Sequence, residues 1–250
     1  MTKTRFNTFT HKFWSLHLAL PLLMAGLLFF AYPATGLDAT LIAPFYDTTL
    51  HQFTLEHEWF LENIMHKGLK NLIVVVSLSL LMFWFLGVEK FQNVALIKKL
   101  QQKFGLIIKL HQQFLWVFVG MVITTSVVSI LKHSSIHACP WDLAIYGGDQ
   151  PLLSLLASLP EGISPGKCLP GAHAGGGFAL MAFYFAFKDS HTKFACVLLV
   201  IGLMLGSVMG YAQMMRGAHF MSHNLWTAWV VWVLLLLQYL IWQPGQNQYK

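Results

Sequence analysis

Apolar and polar positions follow one another along this chain in long blocks. Six apolar runs cover residues 14–32, 71–88, 114–130, 172–187, 194–211 and 225–242. A helix needs about 20 apolar residues to cross a hydrocarbon core roughly 30 Å thick, and each run is close to that length. The pattern predicts an all-α, polytopic membrane protein, in which residues 1–250 form one domain built as a bundle of six transmembrane helices.

The first run has a second interpretation as a secretory signal, because Lys3, Arg5 and Lys12 precede it. Its apolar core is longer than the usual core of a signal peptide. Small residues occur at Ala31 and Ala34, but no clear cleavage site follows them. We therefore predict that this run is the first transmembrane helix.

The polar segment between the first two runs, residues 33–70, mixes aromatic and acidic side chains. For example, Trp59 and Phe60 stand between Glu58 and Glu62. Such an irregular amphipathic pattern is suited to the membrane interface. We expect the segment to lie in the outer interface; the alternative is that it packs on the helices as a lid.

Composition and charge agree with a membrane environment and orient the bundle. Hydrophobic residues make up 56% of the chain and charged residues only 10%, whereas soluble domains carry about 25% charged residues. If both termini are cytoplasmic, eleven of the sixteen Lys and Arg residues lie on the cytoplasmic side, and eight of the ten acidic residues lie on the other. Because positively charged loops resist translocation, we predict that both termini are cytoplasmic.

The net charge of +6 does not indicate a nucleic-acid partner. The basic residues are spread over loops that flank the membrane and form no compact patch. Membrane lipids are the expected partners, and the sequence leaves the oligomeric state undetermined.

Two of the three cysteines, Cys139 and Cys168, fall in the predicted outer segment between helices 3 and 4. An oxidising compartment favours a disulfide between them. Their separation in space decides whether the bond can close, so the sequence leaves the bonded and the free states open.

Polar residues gather at the predicted outer ends of helices 3 to 6. They form three clusters: Lys132 to Asp142, Pro170 to His173, and Arg216 to His223. Antiparallel neighbours in a bundle return these loops to one membrane face, where they can share a pocket. Two histidines, a lysine and an arginine, with no evident nucleophilic serine or carboxylate pair, fit phosphoryl transfer best.

Each part of that reaction has a candidate residue. Neutral His219 can attack phosphorus to form a phosphohistidine, and His173 can protonate the leaving oxygen. The candidate phosphate-binding groups are Lys132, Arg216 and the backbone N–H groups of Gly171 and Ala172. This chemistry requires no metal ion and no other cofactor.

The three clusters resemble the signature motifs of the type 2 phosphatidic acid phosphatase superfamily. In that family a Lys is followed seven residues later by Arg-Pro. Then come Pro-Ser-Gly-His, a Ser-Arg pair, and Gly-x-His with an Asp four residues after the His. The matching residues here are Lys132, Pro140, Pro170, His173, Gly217 and His219. The resemblance implies that His173 is the general acid and His219 the nucleophile.

The chain departs from the family pattern at two arginines. Cys139 stands at the position of the first-motif Arg, and Gln213 at the position of the other. We expect Arg216 to replace one of these phosphate contacts, and Lys167 would add a charge if its loop folds inward.

The Asp expected four residues after the nucleophile is also replaced, by His223. A neutral histidine can orient His219, but it cannot offset a positive charge on that ring as a carboxylate would. Asp142 is the candidate to supply a carboxylate from another loop.

The resemblance implies a lipid-linked phosphate or pyrophosphate substrate and leaves open whether the enzyme is a hydrolase or a phosphotransferase. The Cys-Pro-Trp-Asp and Arg-Gly-Ala-His-Phe sequences resemble a bacterial membrane-associated subgroup, which implies an inner-membrane protein with its site facing the periplasm. Candidate substrates are phosphatidic acid, phosphatidylglycerophosphate, undecaprenyl pyrophosphate and lipid A. The alternatives are a non-catalytic family member retained for lipid binding, a transporter, and a haem carrier with paired histidines.

Overall fold

Helices make up most of the part of the chain that the computed structural model describes, which is residues 9–88, 97–100, 102, 105 and 109–244. They are α1 (His11–Thr35), α2 (Leu37–Ile42), α3 (Phe60–Gly87), α4 (His111–Ser134), α5 (Ala172–Phe187), α6 (Thr192–Met215) and α7 (Met221–Ile241). Two short antiparallel strands, β1 (Tyr46–Asp47) and β2 (Gln52–Phe53), lie between α2 and α3. The predicted all-α class is confirmed.

Within the described residues, five helices are long and apolar enough to cross a membrane, namely α1, α3, α4, α6 and α7. Helix α5 is apolar but shorter than 18 residues, which gives it a length of roughly 24 Å. It also contains a short 3-10 turn at Ala179–Met181. The chain is therefore a multi-pass membrane protein, and the fourth of its six apolar runs forms a helix that is shorter than the other five.

Most observed helix ends lie within four residues of the predicted ones, but α3 begins eleven residues earlier than expected, at Phe60 instead of Asn71. Residues 60–70, which were expected in the outer interfacial segment, form the start of this helix. Its first nine residues form a π-helical stretch, in which backbone bonds join residues five apart. Glu62 and Lys67 have that spacing and form an ion pair of 2.7 Å along this helix.

The rest of the outer segment packs over the end of the bundle. Ile42 and Phe53 are buried in a small apolar cluster with Met214 and Phe220. Asp38 accepts a 2.9 Å hydrogen bond from the backbone N–H of Ser222, in the first turn of α7. These contacts hold residues 38–53 as a lid on the ends of α6 and α7.

Helix α5 lies at the centre of the bundle, in contact with α4, α6 and α7. Gly177 of α5 is so close to α6 that a Cβ added to it would lie 2.6 Å from the Cα of Gly206. Small residues let helix backbones approach each other closely in a membrane. This packing brings together the ends of α4, α5 and α6 that carry the polar clusters.

Candidate active site

A cavity of about 660 Å³ opens where α4 ends and α5 begins. The histidine, lysine and glutamine residues in its wall are His66 and Lys70 of α3, Lys132 of α4, His173 of α5, Gln213 of α6 and His219 of the loop between α6 and α7. No Asp or Glu of the described residues lines it. The cavity is therefore positively charged, rich in hydrogen-bond donors, and suited to an anion.

A tight turn after α6 places His219 in the cavity wall. Gly217 has a φ of 75°, and its N–H donates to the carbonyl of Met214. A Cβ at Gly217 would lie only 2.3 Å from the ring of Phe53. Both the left-handed backbone and the close ring therefore require glycine immediately before the Ala-His pair.

One ring nitrogen of His219 faces the protein interior. Its Nδ1 lies 3.4 Å from Nδ1 of His223 and 3.3 Å from Sγ of Cys168. A hydrogen bond between the two Nδ1 atoms requires one of them to carry the proton. When His219 donates, its Nε2 is the unprotonated nitrogen, which is the form that a nucleophile needs.

The surroundings of His219 favour its neutral form. Burial lowers the pKa of the ring well below its ordinary value, and the nearby His223 and Lys132 lower this pKa further. Each effect acts in the same direction, because each one penalises added positive charge in a site away from water. His219 therefore keeps an unprotonated nitrogen at pH values where a free histidine would be charged.

His173 occupies the second position of α5, and two contacts with α3 fix its ring. Its Nε2 lies 3.1 Å from the carbonyl oxygen of Met65 and can donate a hydrogen bond to it. Its face stacks on the ring of His66, with centroids 4.3 Å apart and planes inclined by 24°. The orientation of His173 is thus set by the helical extension of α3 that the sequence did not predict.

Lys132 and Arg216 are placed differently from each other. Lys132 lies in the last turn of α4 and lines the cavity. Arg216 is buried at the back of the site, where its Nε donates to the carbonyl of Glu56 at 2.7 Å. Its Nη1 lies 3.3 Å from Nδ1 of His66. The guanidinium therefore contacts the wall of the site and is not itself among the residues that line the cavity.

The remaining candidate donors, Gly171, Ala172 and Gln213, differ in whether they already have a hydrogen-bond partner. The N–H of Gly171 donates to Oγ1 of Thr227 at 2.8 Å, so it is already engaged. Ala172 lines the cavity. Gln213 lines it too, and its buried Nε2 has no hydrogen-bond partner within the described part of the chain. A buried donor without a partner is costly, so this amide is available to a ligand or to water.

Two predicted supporting residues lie outside the cavity lining. The Asp142 carboxylate accepts a 3.0 Å hydrogen bond from Nε1 of Trp141, and burial raises the pKa of that carboxyl. Lys167 is exposed and has a positive φ of 53°. Neither side chain contacts His219, so the structure does not bring them into the site.

Cys139 and Cys168 are joined by a disulfide. Backbone hydrogen bonds from Lys167 to Ser135 and from Cys168 to His137 hold the two cysteine-bearing segments side by side. Within the described residues, the two sulfurs and one ring nitrogen of His219 form the single group of potential metal ligands, within 4.8 Å of one another. The disulfide engages both sulfurs, so the group offers no thiolate to a metal.

Sequence reasoning missed two residues of the cavity, His66 and Lys70. They stand four residues apart on α3, and residues at that spacing share one face of a helix. That spacing could have identified them, but only if the helix had been predicted to begin before residue 66.

A family model described as the PAP2 superfamily matches residues 113–246, which is more than half of the chain. The match includes Lys132, His173 and His219. No curated protein and no solved structure matches the chain significantly. With this family match, the chain belongs to the PAP2 superfamily.

Proposed function

We propose that this protein cleaves a phosphoester or phosphoanhydride bond of a lipid-linked phosphate through a phosphohistidine intermediate, without a metal ion. Membership of the PAP2 superfamily implies phosphatase or phosphotransferase activity. One observation carries the finer proposal: His173, His219, Lys70 and Lys132 line the same cavity, and no carboxylate of the described residues does.

In the first step, Nε2 of neutral His219 attacks phosphorus and a P–N bond forms. The bond between phosphorus and the leaving oxygen breaks, and protonated His173 gives its proton to that oxygen. In the second step, water or a lipid hydroxyl attacks the phosphohistidine while His173 takes up the proton. The P–N bond then breaks, which returns neutral His219 and releases inorganic phosphate or a phosphorylated acceptor.

His223 is a positioning residue for this nucleophile. Its Nδ1 lies 3.4 Å from Nδ1 of His219 and, as the hydrogen-bond acceptor, leaves Nε2 of His219 free of a proton. A neutral imidazole does not carry the negative charge that a carboxylate would place there. The positive charge that develops on His219 is then balanced chiefly by the bound phosphate.

The shape of the cavity supports a lipid substrate. It extends from the two lysines downward between α3 and α4, past the apolar side chains of Ile73, Val74, Met121 and Val122. Along α4 it reaches from Lys132 to Met121, twelve residues whose ends are roughly 16 Å apart along the helix axis. That is about half of a hydrocarbon core. A phosphate beside the lysines would therefore place an attached apolar chain in lipid.

Two observations support an extracytoplasmic site in a bacterial inner membrane. Lys and Arg residues are concentrated in the loops opposite this end of the bundle. The disulfide between Cys139 and Cys168 beside the site is a bond that persists in an oxidising compartment such as the periplasm.

A comparison of matched substrates tests the lipid proposal. Phosphatidic acid and glycerol phosphate carry the same phosphomonoester, with and without acyl chains. Because burial of chain atoms supplies binding energy, we expect kcat/KM of the purified protein to be at least about 100-fold higher for phosphatidic acid. Undecaprenyl pyrophosphate tests whether an anhydride is preferred, and equal values for lipid and soluble esters would contradict a lipid substrate.

Filling the groove provides a matched control for that comparison. Val74 lines the cavity and is 48% exposed, whereas Val200 on α6 is 53% exposed and does not line it. We expect Val74→Trp to raise KM for phosphatidic acid and leave glycerol phosphate unaffected, and Val200→Trp to change neither.

The dependence of kcat/KM on pH should show that the nucleophile is a neutral histidine with a lowered pKa. Because burial and neighbouring positive groups lower the pKa of His219, the ring becomes protonated only when the pH falls through this depressed value. We therefore expect kcat/KM to hold down to about pH 6.5, the ordinary histidine pKa, and to decline only well below it. A pH profile with its acidic midpoint at or above 6.5 would rule out this account of the nucleophile.

A further inference from the structure

We propose that helix α3 is part of the catalytic site: Lys70 binds the substrate phosphate opposite Lys132, and His66, fixed by Arg216, positions the ring of His173. This inference rests on the proposed phosphohistidine function and extends it to residues outside the segment that the family model matches, which begins at residue 113.

Lys70 differs from its neighbour Lys67 in its surroundings. Lys67 is paired with Glu62 at 2.7 Å and does not line the cavity. Lys70 lines the cavity and has no carboxylate partner within the described residues. It is therefore a cation that is available to an anionic ligand.

The position of Lys70 complements that of Lys132. The two lysines stand on the adjacent helices α3 and α4 and line the same cavity, to which no described carboxylate contributes. Two positive charges that share a site repel each other, and an anion placed between them attracts both and offsets this repulsion. A phosphate group satisfies both ammonium groups, since each can donate to a different oxygen.

The second part of the inference concerns the tautomer of His66. Nη1 of Arg216 lies 3.3 Å from Nδ1 of His66. A guanidinium is always protonated and can only donate, so Nδ1 of His66 must accept and the proton of the neutral ring lies on Nε2. The carbonyl of Glu56 holds Arg216 from its other side. The ring of His66 is therefore fixed in both position and protonation.

The ring of His173 stacks on this fixed ring of His66. The two imidazoles stack at 4.3 Å, and the adjacent Met65 carbonyl accepts from Nε2 of His173. With Nε2 engaged by the backbone, Nδ1 is the nitrogen through which His173 can exchange a proton with substrate. The stack thus determines which way the general acid points, and Arg216 acts on the reaction through His66.

The test of Lys70 is a binding measurement with a matched control. We expect Lys70→Met to weaken binding of inorganic phosphate by roughly 10- to 100-fold, the effect of losing a charge-assisted hydrogen bond. Lys67→Met should change it less than twofold, and Lys70→Arg should retain most of the affinity. Isothermal titration calorimetry of the detergent-purified protein provides the dissociation constants. Equal effects of Lys70→Met and Lys67→Met would reduce Lys70 to a headgroup anchor and overturn this part.

The test of His66 uses the leaving group as a readout. We expect His66→Ala to lower kcat on phosphatidic acid at least about tenfold, because the poor alkoxide leaving group needs the acid. It should slow the burst of nitrophenolate from 4-nitrophenyl phosphate much less, because that leaving group needs no proton. His66→Phe restores the stacked ring but not the contact with Arg216, so it should recover only part of the activity. Equal slowing of the first, phosphorylation step on both substrates would show a general structural defect and overturn the positioning role.

The two proposals fail in different ways. If α3 variants behave like wild type while His219→Asn abolishes turnover, helix α3 is not part of the site and the phosphohistidine mechanism stands. If His219→Asn keeps wild-type turnover, the mechanism fails, and the phosphate-binding comparison of Lys70 with Lys67 still decides whether the anion site includes α3.

Discussion

Replacing His219 with asparagine should reduce turnover by at least about 10³-fold, because it removes the nitrogen that forms the covalent bond to phosphorus. Asparagine suits this test, since its amide can still donate toward His223, 3.4 Å away in the wild type. The measurement is release of phosphate from phosphatidic acid, together with acid-labile labelling of the protein by substrate carrying radioactive phosphate. We expect both signals in wild type and neither in His219→Asn.

A second histidine on the same face serves as the control for His219. His133 lies next to Lys132 at the end of α4 and is exposed, and its Nδ1 is 2.7 Å from the carbonyl oxygen of Ser129. His133→Asn should keep wild-type turnover and labelling. Covalent labelling that survives in His219→Asn would mean that another residue is the nucleophile, and would refute the mechanism.

Replacing His173 with asparagine should affect the formation of phosphohistidine and its hydrolysis to different extents, depending on the leaving group of the substrate. On phosphatidic acid we expect a loss of about 10²- to 10⁴-fold, the usual contribution of general acid catalysis. On 4-nitrophenyl phosphate the leaving group needs no proton, so phosphohistidine should still form. Its hydrolysis should be slow, because His173 is also the base that activates water. Rapid quenching should therefore detect a burst of nitrophenolate and accumulated phosphoenzyme.

The unfolding temperature of His173→Asn should be measured alongside, because this residue also contacts His66 and Met65. An unchanged unfolding temperature with the expected burst would separate the chemical role from a packing role. Equal loss on both substrates without phosphoenzyme would argue that His173 does not act as the acid and base.

Helix boundaries show how far local pattern determines the fold. The ends of α4, α6 and α7 follow from apolar runs long enough to cross a membrane, and all three lie within four residues of the predicted ends. The start of α3 does not follow, because Glu62 and Lys67 make residues 60–70 look interfacial. They form an ion pair along a π-helical stretch, a geometry that helix propensities do not encode.

The directions of the side chains determine which of the predicted residues reach the cavity. His173, Lys132 and His219 line one cavity, as the spacing of the polar clusters predicted. The expectation that Arg216 replaces a phosphate ligand stays a prediction without geometric support, since its guanidinium contacts Glu56 and His66. Motif spacing places a residue at the correct end of a helix, but it does not determine which neighbour a long side chain reaches.

The sequence by itself determined the membrane environment, the apolar helices and the residues proposed for the reaction centre, because apolar length and short motifs are local properties of the chain. Only the tertiary structure decided which groups surround that centre. His66 and Lys70 come from a helix more than 60 residues before Lys132, and the bond between Cys139 and Cys168 joins segments 29 residues apart. Such contacts depend on how helices pack, and close packing is a property of the assembled bundle that no single segment carries.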